Sequence, residues 1–369
     1  MNTPTPDFSP EETIEQPVEK PKKRNIKKYI FSFLFMLALI GLTFYLILKD
    51  NSLAEIKALL SQVKPGYVAG GIAAMMLYLL FHAFTFGVAA KTINIRLRLK
   101  EMMDYSLVGH FYSSITPSST GGQPMQFYYM SRDRIAPSKV TLILFQTNIA
   151  YQAAAVIVGI AMFIYQCNYI AQLNTAVLPF FILGVVCSLA MLSLLICVVV
   201  SERVLRSFLS GIVRFLAVLH LIKNKEKWQA SIDRYIIELK TGMALLKTNR
   251  RRFVDLMLVS FVMIFFYQIS PYFAYKAFGL HGYSLMEIYA VSMVLYMSVA
   301  FLPLPGTVGA AESGFLLLFK PMFASLVLPA MLLSRFMSFY VLLVVCGIAC
   351  AYVHFRKPHN TPANKKFKG

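Results

Sequence analysis

Acidic residues are scarce in this sequence: 17 Asp and Glu stand against 36 Lys and Arg, and charged residues make up only 14% of the chain. Hydrophobic residues fill 57% of the 369 positions, and the mean hydropathy is +0.61. A soluble domain of this length carries more charge, whereas membrane-spanning helices need long apolar segments. The composition therefore excludes an ordinary soluble domain and predicts an all-α, polytopic helical membrane protein.

Portable site motifs are also missing. The five cysteines form no C-x-x-C pair and the six histidines show no metal-ligand spacing, so we expect neither a disulfide framework nor a metal site. No G-x-x-x-x-G-K-[ST] stretch is present to bind ATP, and no G-x-S-x-G or H-E-x-x-H stretch occurs. We therefore expect no cofactor and assign no catalytic residue.

The formal net charge of +19 raises the question of a nucleic-acid partner. The basic residues, however, cluster between apolar runs, where the retention of cytoplasmic loops explains them. We therefore expect no nucleic acid and predict that the partners are membrane phospholipids with anionic headgroups. A homo-oligomer remains open.

Apolar runs of about twenty residues predict six full crossings plus two hairpins, with eight crossings as the alternative. Basic residues near both ends place the N- and C-termini in the cytoplasm, which requires an even number of crossings. A short amphipathic stretch over 53–64 predicts a helix at the interface. The six predicted crossings are 29–48, 66–90, 140–165, 176–200, 253–278 and 331–355.

The domain organisation follows from the same pattern. Residues 1–28 are polar and end in a basic cluster, which predicts a disordered cytoplasmic tail. Residues 29–357 form the transmembrane domain, and 358–369 form a second cytoplasmic tail. Within the domain, 201–252 is strongly basic with helical apolar spacing. This segment is either a solvated linker or a set of amphipathic helices that bind lipid headgroups.

Two stretches rich in Pro and Gly interrupt apolar neighbourhoods: Ile115 to Pro124, and Pro303 to Gly314. Non-helical backbone at membrane depth requires protein or a polar cavity to satisfy its N–H and C=O groups. Broken segments at corresponding places in two halves point to a transport site. We therefore predict two re-entrant hairpins, the second with its half-helices at 287–302 and 315–328. If the first enters from the inside and the second from the outside, the halves are inverted repeats.

Both breaks carry groups that can hold a phosphate. A half-helix that begins at a break points unpaired N–H groups and the positive end of its dipole into the protein. Glycine lets the backbone approach a ligand, and hydroxyl groups donate hydrogen bonds. The alternative is that these residues only permit tight helix packing. The candidate headgroup-binding residues at the breaks are Pro117, Ser118, Ser119, Thr120, Gly121, Gly122, Gln123, Pro305, Gly306, Thr307 and Gly309.

Glu312 lies just after the second break, where an unpaired carboxylate is costly and an ionisable residue is a functional candidate. It could bind a cationic headgroup, carry a proton, or form a structural pair with Arg335 or Lys320. We include Glu312 and Arg335 among the candidate headgroup-binding residues.

Amide side chains form a polar series through the first hairpin and the span that follows it. Hydrogen bonding between helices explains such residues, and lining a headgroup path is the alternative. The series consists of Gln123, Gln126, Gln146, Asn148 and Gln152.

At these same residues the chain resembles a known family. The stretches Thr116 to Gln126 and Pro303 to Phe315 are similar to the two signature stretches of the lysylphosphatidylglycerol synthase/flippase membrane region, the membrane half of the multiple peptide resistance factor. The resemblance covers about 29–356. Glu312 matches the family pattern. The first stretch departs from it, because Gln123 and Phe127 stand where many relatives have an acidic and a basic residue.

The resemblance implies a bacterial cytoplasmic-membrane protein that moves lysylphosphatidylglycerol, or a related anionic or aminoacylated lipid, between leaflets. Such a role belongs to lipid metabolism and to resistance against cationic antimicrobial peptides. In the family, a soluble domain transfers lysine from lysyl-tRNA to phosphatidylglycerol. Only 356–369 follow the last predicted span, so we expect that domain to be absent here and a partner synthase to be an open question.

Two other functions stay open. The first is an enzyme, a phosphatidylglycerol lysyltransferase or its membrane subunit. The second is a membrane protein that moves no lipid and docks partners through 201–252.

Overall fold

The computed structural model describes residues 59–116, 119–172, 177–201, 250–302 and 309–359, together with positions 203, 206, 207 and 211. The predicted first crossing at 29–48, the tail over 1–28, most of the basic segment 201–252 and most of the tail 358–369 lie outside these ranges. Within them every element of regular secondary structure is a helix, which confirms the predicted helical class.

Twelve α-helices make up the described part of the chain, and several begin at residues that favour a helix start. Proline stands at the first turn of α1 and α4, where its missing N–H costs nothing. Ser284 and Glu287 exchange hydrogen bonds at the start of α9, as a capping box does. The helices are α1 Pro65–Thr92, α2 Leu99–Ile115, α3 Gly122–Arg132, α4 Pro137–Tyr165, α5 Cys167–Gln172, α6 Val177–Val200, α7 Arg250–Gln268, α8 Ser270–Ala277, α9 Leu285–Val299, α10 Ala310–Phe323, α11 Val327–Arg335 and α12 Val341–Phe355.

Five of the six predicted crossings coincide with segments that are long and apolar enough to cross a membrane. These are α1, α4, α6, the pair α7–α8, and the run Ala310–Phe355, which contains α10, α11 and α12, the last two joined by a π-helical turn at Phe336–Tyr340. A polytopic helical membrane protein is therefore the architecture of this chain.

The four helices next to the two breaks are each too short to cross a membrane alone. At 1.5 Å per residue, α2, α3, α9 and α10 are each about 15–25 Å long, against about 30 Å of hydrocarbon. In the first pair, a Cβ added at Gly109 would meet the side chain of Gln126, and in the second, one added at Gly314 would meet Leu295. Each contact joins residues about equally far from the break, so α2–α3 and α9–α10 are antiparallel hairpins.

The second hairpin ends earlier than we predicted. Its second half was expected at 315–328, whereas α10 ends at Phe323 and the chain turns through Ala324–Leu326 into α11. Ala324 has a φ of +50°, a left-handed conformation that usually selects glycine. Because an alanine occupies this turn, the sequence carries no turn signal there.

The two hairpins enter from opposite ends of the helix bundle. At one end, Arg356, the residue after α12, bonds two carboxylates. These are Asp104, near the start of α2, and Asp133, the residue after α3. At the other end, the start of α1 meets the end of α8 through the Lys64 N–H and the Ala277 carbonyl. We call these the Arg356 end and the Ala277 end.

The second hairpin belongs to the Ala277 end. Tyr275 in α8 contacts the rings of Tyr283, just before α9, and Phe323, the last residue of α10. The packing is reciprocal as well: α4, which follows the first hairpin, packs on α9, and α12, at the end of the chain segment that follows the second hairpin, packs on α2. This is the arrangement expected of inverted repeats.

Candidate functional site

The first break is closed by short-range hydrogen bonds. The Thr116 hydroxyl donates to the Tyr112 carbonyl at 2.6 Å and accepts from the Gly121 N–H at 2.8 Å. A Cβ added at Gly122 would lie 2.1 Å from the Ser113 hydroxyl and 2.7 Å from the Gly109 carbonyl. Gly122 therefore holds the two halves of this hairpin close together, which is the packing role we weighed against ligand binding.

The second break leads into an ion pair. Gly309 has a φ of +90°, which glycine adopts without strain, and its N–H donates to Glu312 Oε2 at 2.6 Å. Glu312 Oε1 accepts from Arg335 Nε at 2.8 Å. Glu312 also lies in the first turn of α10, where the helix dipole favours a negative charge. Three separate features thus stabilise this carboxylate.

Arg335 is less completely satisfied than Glu312. Among the described residues, its buried Nη2 atom has no hydrogen-bond partner. Its side chain is 18% exposed, against 7% for Glu312, and it lines a cavity that Glu312 does not line. A buried guanidinium N–H without a partner is costly, so an anion that accepts from it gains affinity.

The tips of the two hairpins meet at one cavity of about 730 Å³. Ser119 and Gln123 reach it from the first hairpin, while Ala300 and Ala311 reach it from the second. Behind them, the Ile115 side chain packs with Phe339, in the π-helical turn after Arg335. Cavities of about 300–1,000 Å³ are typical of ligand sites.

The cavity wall is mixed: apolar surface predominates, and a series of polar side chains is set into it. Side chains of the predicted amide series contribute Gln123, Gln126, Asn148 and Gln152. Gln146 does not line it; this residue is buried and accepts a hydrogen bond from the Thr92 hydroxyl.

Aromatic and histidine side chains complete the wall. Tyr78 bonds His110 Nδ1 through its hydroxyl, and its ring contacts the rings of His82 and Tyr267. Tyr151 and Tyr296 share a hydrogen bond between their hydroxyls. None of these residues was among the predicted site residues. A histidine in the middle of a predicted span, as at position 82, was the available signal.

The π-helical turn next to Arg335 changes the local backbone bonding. The Ser334 carbonyl accepts from the hydroxyls of both Ser270 and Ser338. Bulges of this kind recur at functional sites. A π-helical turn changes which backbone carbonyls remain available to side chains. Here the bond from the Ser270 hydroxyl to the Ser334 carbonyl joins α8 to α11 beside Arg335.

A second charged cluster lies at the Arg356 end, away from the hairpin tips. Arg356 donates to Asp104 Oδ2 at 2.9 Å and to Asp133 Oδ2 at 3.0 Å. The Tyr105 hydroxyl and the His359 N–H also donate to Asp133, whose side chain is fully buried. Burial alone lowers the pKa of Arg356, but the hydrogen bond to Asp133 and the two carboxylate charges outweigh it and raise this pKa above its ordinary value.

The predicted site residues fall into three groups. Ser119, Gln123 and Arg335 line the cavity. Thr120, Gly121, Gly122, Gly309 and Glu312 lie at or next to the breaks but do not line it. The remaining candidates, Pro117, Ser118, Pro305, Gly306 and Thr307, lie outside the described residues.

The sequence pattern of one protein family, described as the lysylphosphatidylglycerol synthase TM region, matches residues 29–346. The matched range contains both hairpins and the cavity, but not Arg356. No curated protein matches the chain.

Proposed function

The chain belongs to the lysylphosphatidylglycerol synthase membrane-region family, whose role concerns membrane lipids, and we propose that it moves a phospholipid between the leaflets of the bacterial cytoplasmic membrane. The candidates are lysylphosphatidylglycerol and a related anionic lipid. Outward movement of the lysyl ester would make the outer surface less negative, which weakens the attraction of cationic antimicrobial peptides.

One observation carries this proposal: hairpins from opposite ends of the bundle meet at a cavity whose wall, apolar for the most part, also carries amide side chains and the guanidinium of Arg335. Irregular backbone at membrane depth is tolerated where protein buries it or where it lines a water-filled cavity, and charged residues at that depth often mark substrate pathways. Discontinuous helices that meet between inverted repeats are the usual place for a transported substrate.

The chemistry of the wall suggests how a headgroup is held. Its phosphate would accept from Arg335 Nη2, and its hydroxyls would bond the amides of Gln123, Asn148 and Gln152, all of which line the cavity. The acyl chains would stay in the bilayer. We place the Arg356 end in the cytoplasm because positive charge is added there by Arg96 and Arg98, between α1 and α2, and by Lys100 in the first turn of α2.

Leaflet exchange tests the proposal. Fluorescent phosphatidylglycerol and its lysyl derivative are incorporated into liposomes that contain the purified chain, and exposure to an external quencher is followed in time. We expect exchange from the wild type and a fall of about tenfold or more in Arg335→Gln, because a hydrogen bond to a charged group contributes about 1.5–3 kcal/mol.

Lys320→Gln is the matched control, since this cation is exposed and lies outside the cavity. Absence of exchange from folded, inserted protein would contradict the proposal. Synthesis of a lysyl lipid from lysyl-tRNA by the purified chain would favour the enzymatic function instead.

A further inference from the structure

The charges around the cavity bear on which lipid headgroup the protein accepts, a question separate from whether it moves lipid. Among the described lining residues, Arg335 carries the only permanent charge, and no Asp or Glu is present. The carboxylate that pairs with it, Glu312, lies outside the lining and is occupied by both the Arg335 Nε and the Gly309 N–H. The cavity wall therefore contains the guanidinium of this ion pair but not its carboxylate.

This asymmetry has an electrostatic consequence. Glu312 neutralises Arg335 at longer range, but a charged group in the cavity that contacts the guanidinium is closer to the cation than to the carboxylate. In a medium of low dielectric constant, a like charge at that position is repelled and an opposite charge is attracted more strongly than in water. The partnerless Nη2 N–H adds a directed hydrogen bond that only an acceptor can satisfy.

We propose that the cavity selects a phosphodiester headgroup with a net negative charge and hydroxyl groups, and discriminates against the lysyl ester of the same headgroup. This inference rests on the proposed function and narrows its substrate. The lysyl ester keeps the phosphate but adds two ammonium groups, which have no carboxylate to meet among the described lining residues.

Three of the four tyrosines among the described lining residues make ring contacts that compete with an ammonium group. A cation–π site needs open ring faces. The ring of Tyr78 contacts the rings of His82 and Tyr267, at centroid distances of 6.0 and 4.7 Å. Tyr296 stands edge-on to Tyr267 and bonds Tyr151 through its hydroxyl. These rings therefore contact one another instead of surrounding a cation.

Placement of a carboxylate in the cavity provides the sharpest test. Gln152 lines the cavity from α4, and Gln152→Glu adds a negative charge at nearly constant volume. Gln172→Glu makes the same chemical change at an exposed position outside the cavity. Arg335→Gln removes the cation.

Two readouts are needed, each with phosphatidylglycerol and lysylphosphatidylglycerol as probes: lipid binding to the protein in detergent, and leaflet exchange in liposomes. We expect the wild type to favour phosphatidylglycerol by about tenfold, because both lipids offer the phosphate to Arg335 and only the lysyl ester brings ammonium groups close to it. Arg335→Gln should abolish this preference, Gln152→Glu should shift it toward the lysyl ester, and Gln172→Glu should leave it unchanged.

The outcomes separate the two proposals. Equal or tighter binding of the lysyl ester by the wild type would overturn the charge selection while leaving lipid movement intact. Selective binding without exchange would uphold the selection and contradict the movement. Soluble glycerol phosphate is a third probe: if it competes as strongly as the lipid, the site takes free phosphate esters, and the lipid assignment is wrong.

Discussion

Arg335 and Arg356 are two largely buried arginines in the same bundle, and they differ in how completely they are bonded. Each of the three guanidinium nitrogens of Arg356 has an acceptor, and the two carboxylates of Asp104 and Asp133 face it. Arg335 has one carboxylate and a buried N–H with no partner among the described residues.

This difference distinguishes a structural ion pair from a ligand-binding site. The ion pairs of Arg356 leave none of its guanidinium nitrogens without an acceptor, and they join the end of α12 to the base of the first hairpin. An unsaturated arginine at a cavity retains a directed donor for an anion. The comparison predicts that variants at the Arg356 end act on stability and variants at the cavity act on lipid exchange.

The largest expected effect is on stability, from loss of the ion pair between Arg356 and Asp133. Asp133→Asn removes the charge that Arg356, Tyr105 and His359 share, and breaking a buried ion pair costs about 3–5 kcal/mol. Thermal unfolding in detergent should show a much lower midpoint, while exchange per folded molecule stays at the wild-type level. Asp255→Asn, at a partly exposed position of α7, is the control, with a change within about 0.5 kcal/mol. An equal unfolding midpoint for both variants would show that the ion pairs of Arg356 do not stabilise the fold.

The next effect concerns the partner of Arg335. Glu312→Gln removes the charge that orients the guanidinium, and a charged hydrogen bond contributes about 1.5–3 kcal/mol. We therefore expect lipid exchange to be lost while expression and the size-exclusion profile are retained. Loss of folded protein instead would show that the Glu312–Arg335 pair is structural, like the ion pairs of Arg356.

The smallest effect distinguishes the two hairpins. An Ala at position 122 would meet backbone, the Gly109 carbonyl, whereas one at position 314 would meet the flexible tip of Leu295 at 2.4 Å. Overpacking costs about 1–3 kcal/mol where nothing can move. Gly122→Ala should therefore lower the unfolding midpoint and Gly314→Ala should be nearly neutral, since alanine also favours helix by about 1 kcal/mol over glycine. Equal shifts would show that both hairpins are equally tight.

Much of the helical framework was predictable, because the requirement for about twenty apolar residues is a local one. The five crossings within the described residues are where the apolar runs placed them. The turn at Ala324 was not predictable, since an alanine in a left-handed conformation is held there by the surrounding packing and not by its own preference.

The candidate site was only partly predictable. Both breaks, Glu312 and Arg335 could be singled out, because Pro, Gly and charge are conspicuous in an apolar sequence. The tyrosines and histidines of the cavity could not be assigned to it, since aromatic residues in a span are usually packing residues. Their common location depends on which faces of α1, α4, α7 and α9 meet.

The sequence by itself determined that this chain is a helical membrane protein with two interrupted segments, because hydropathy and helix breaking are properties of residues and their near neighbours. Only the tertiary structure decided that the segments enter from opposite ends, that their tips share a cavity, and that one arginine is saturated while the other is not. These are distances between residues far apart in the chain: Arg356 meets Asp104 across 252 positions. Such distances follow from the packing of whole helices.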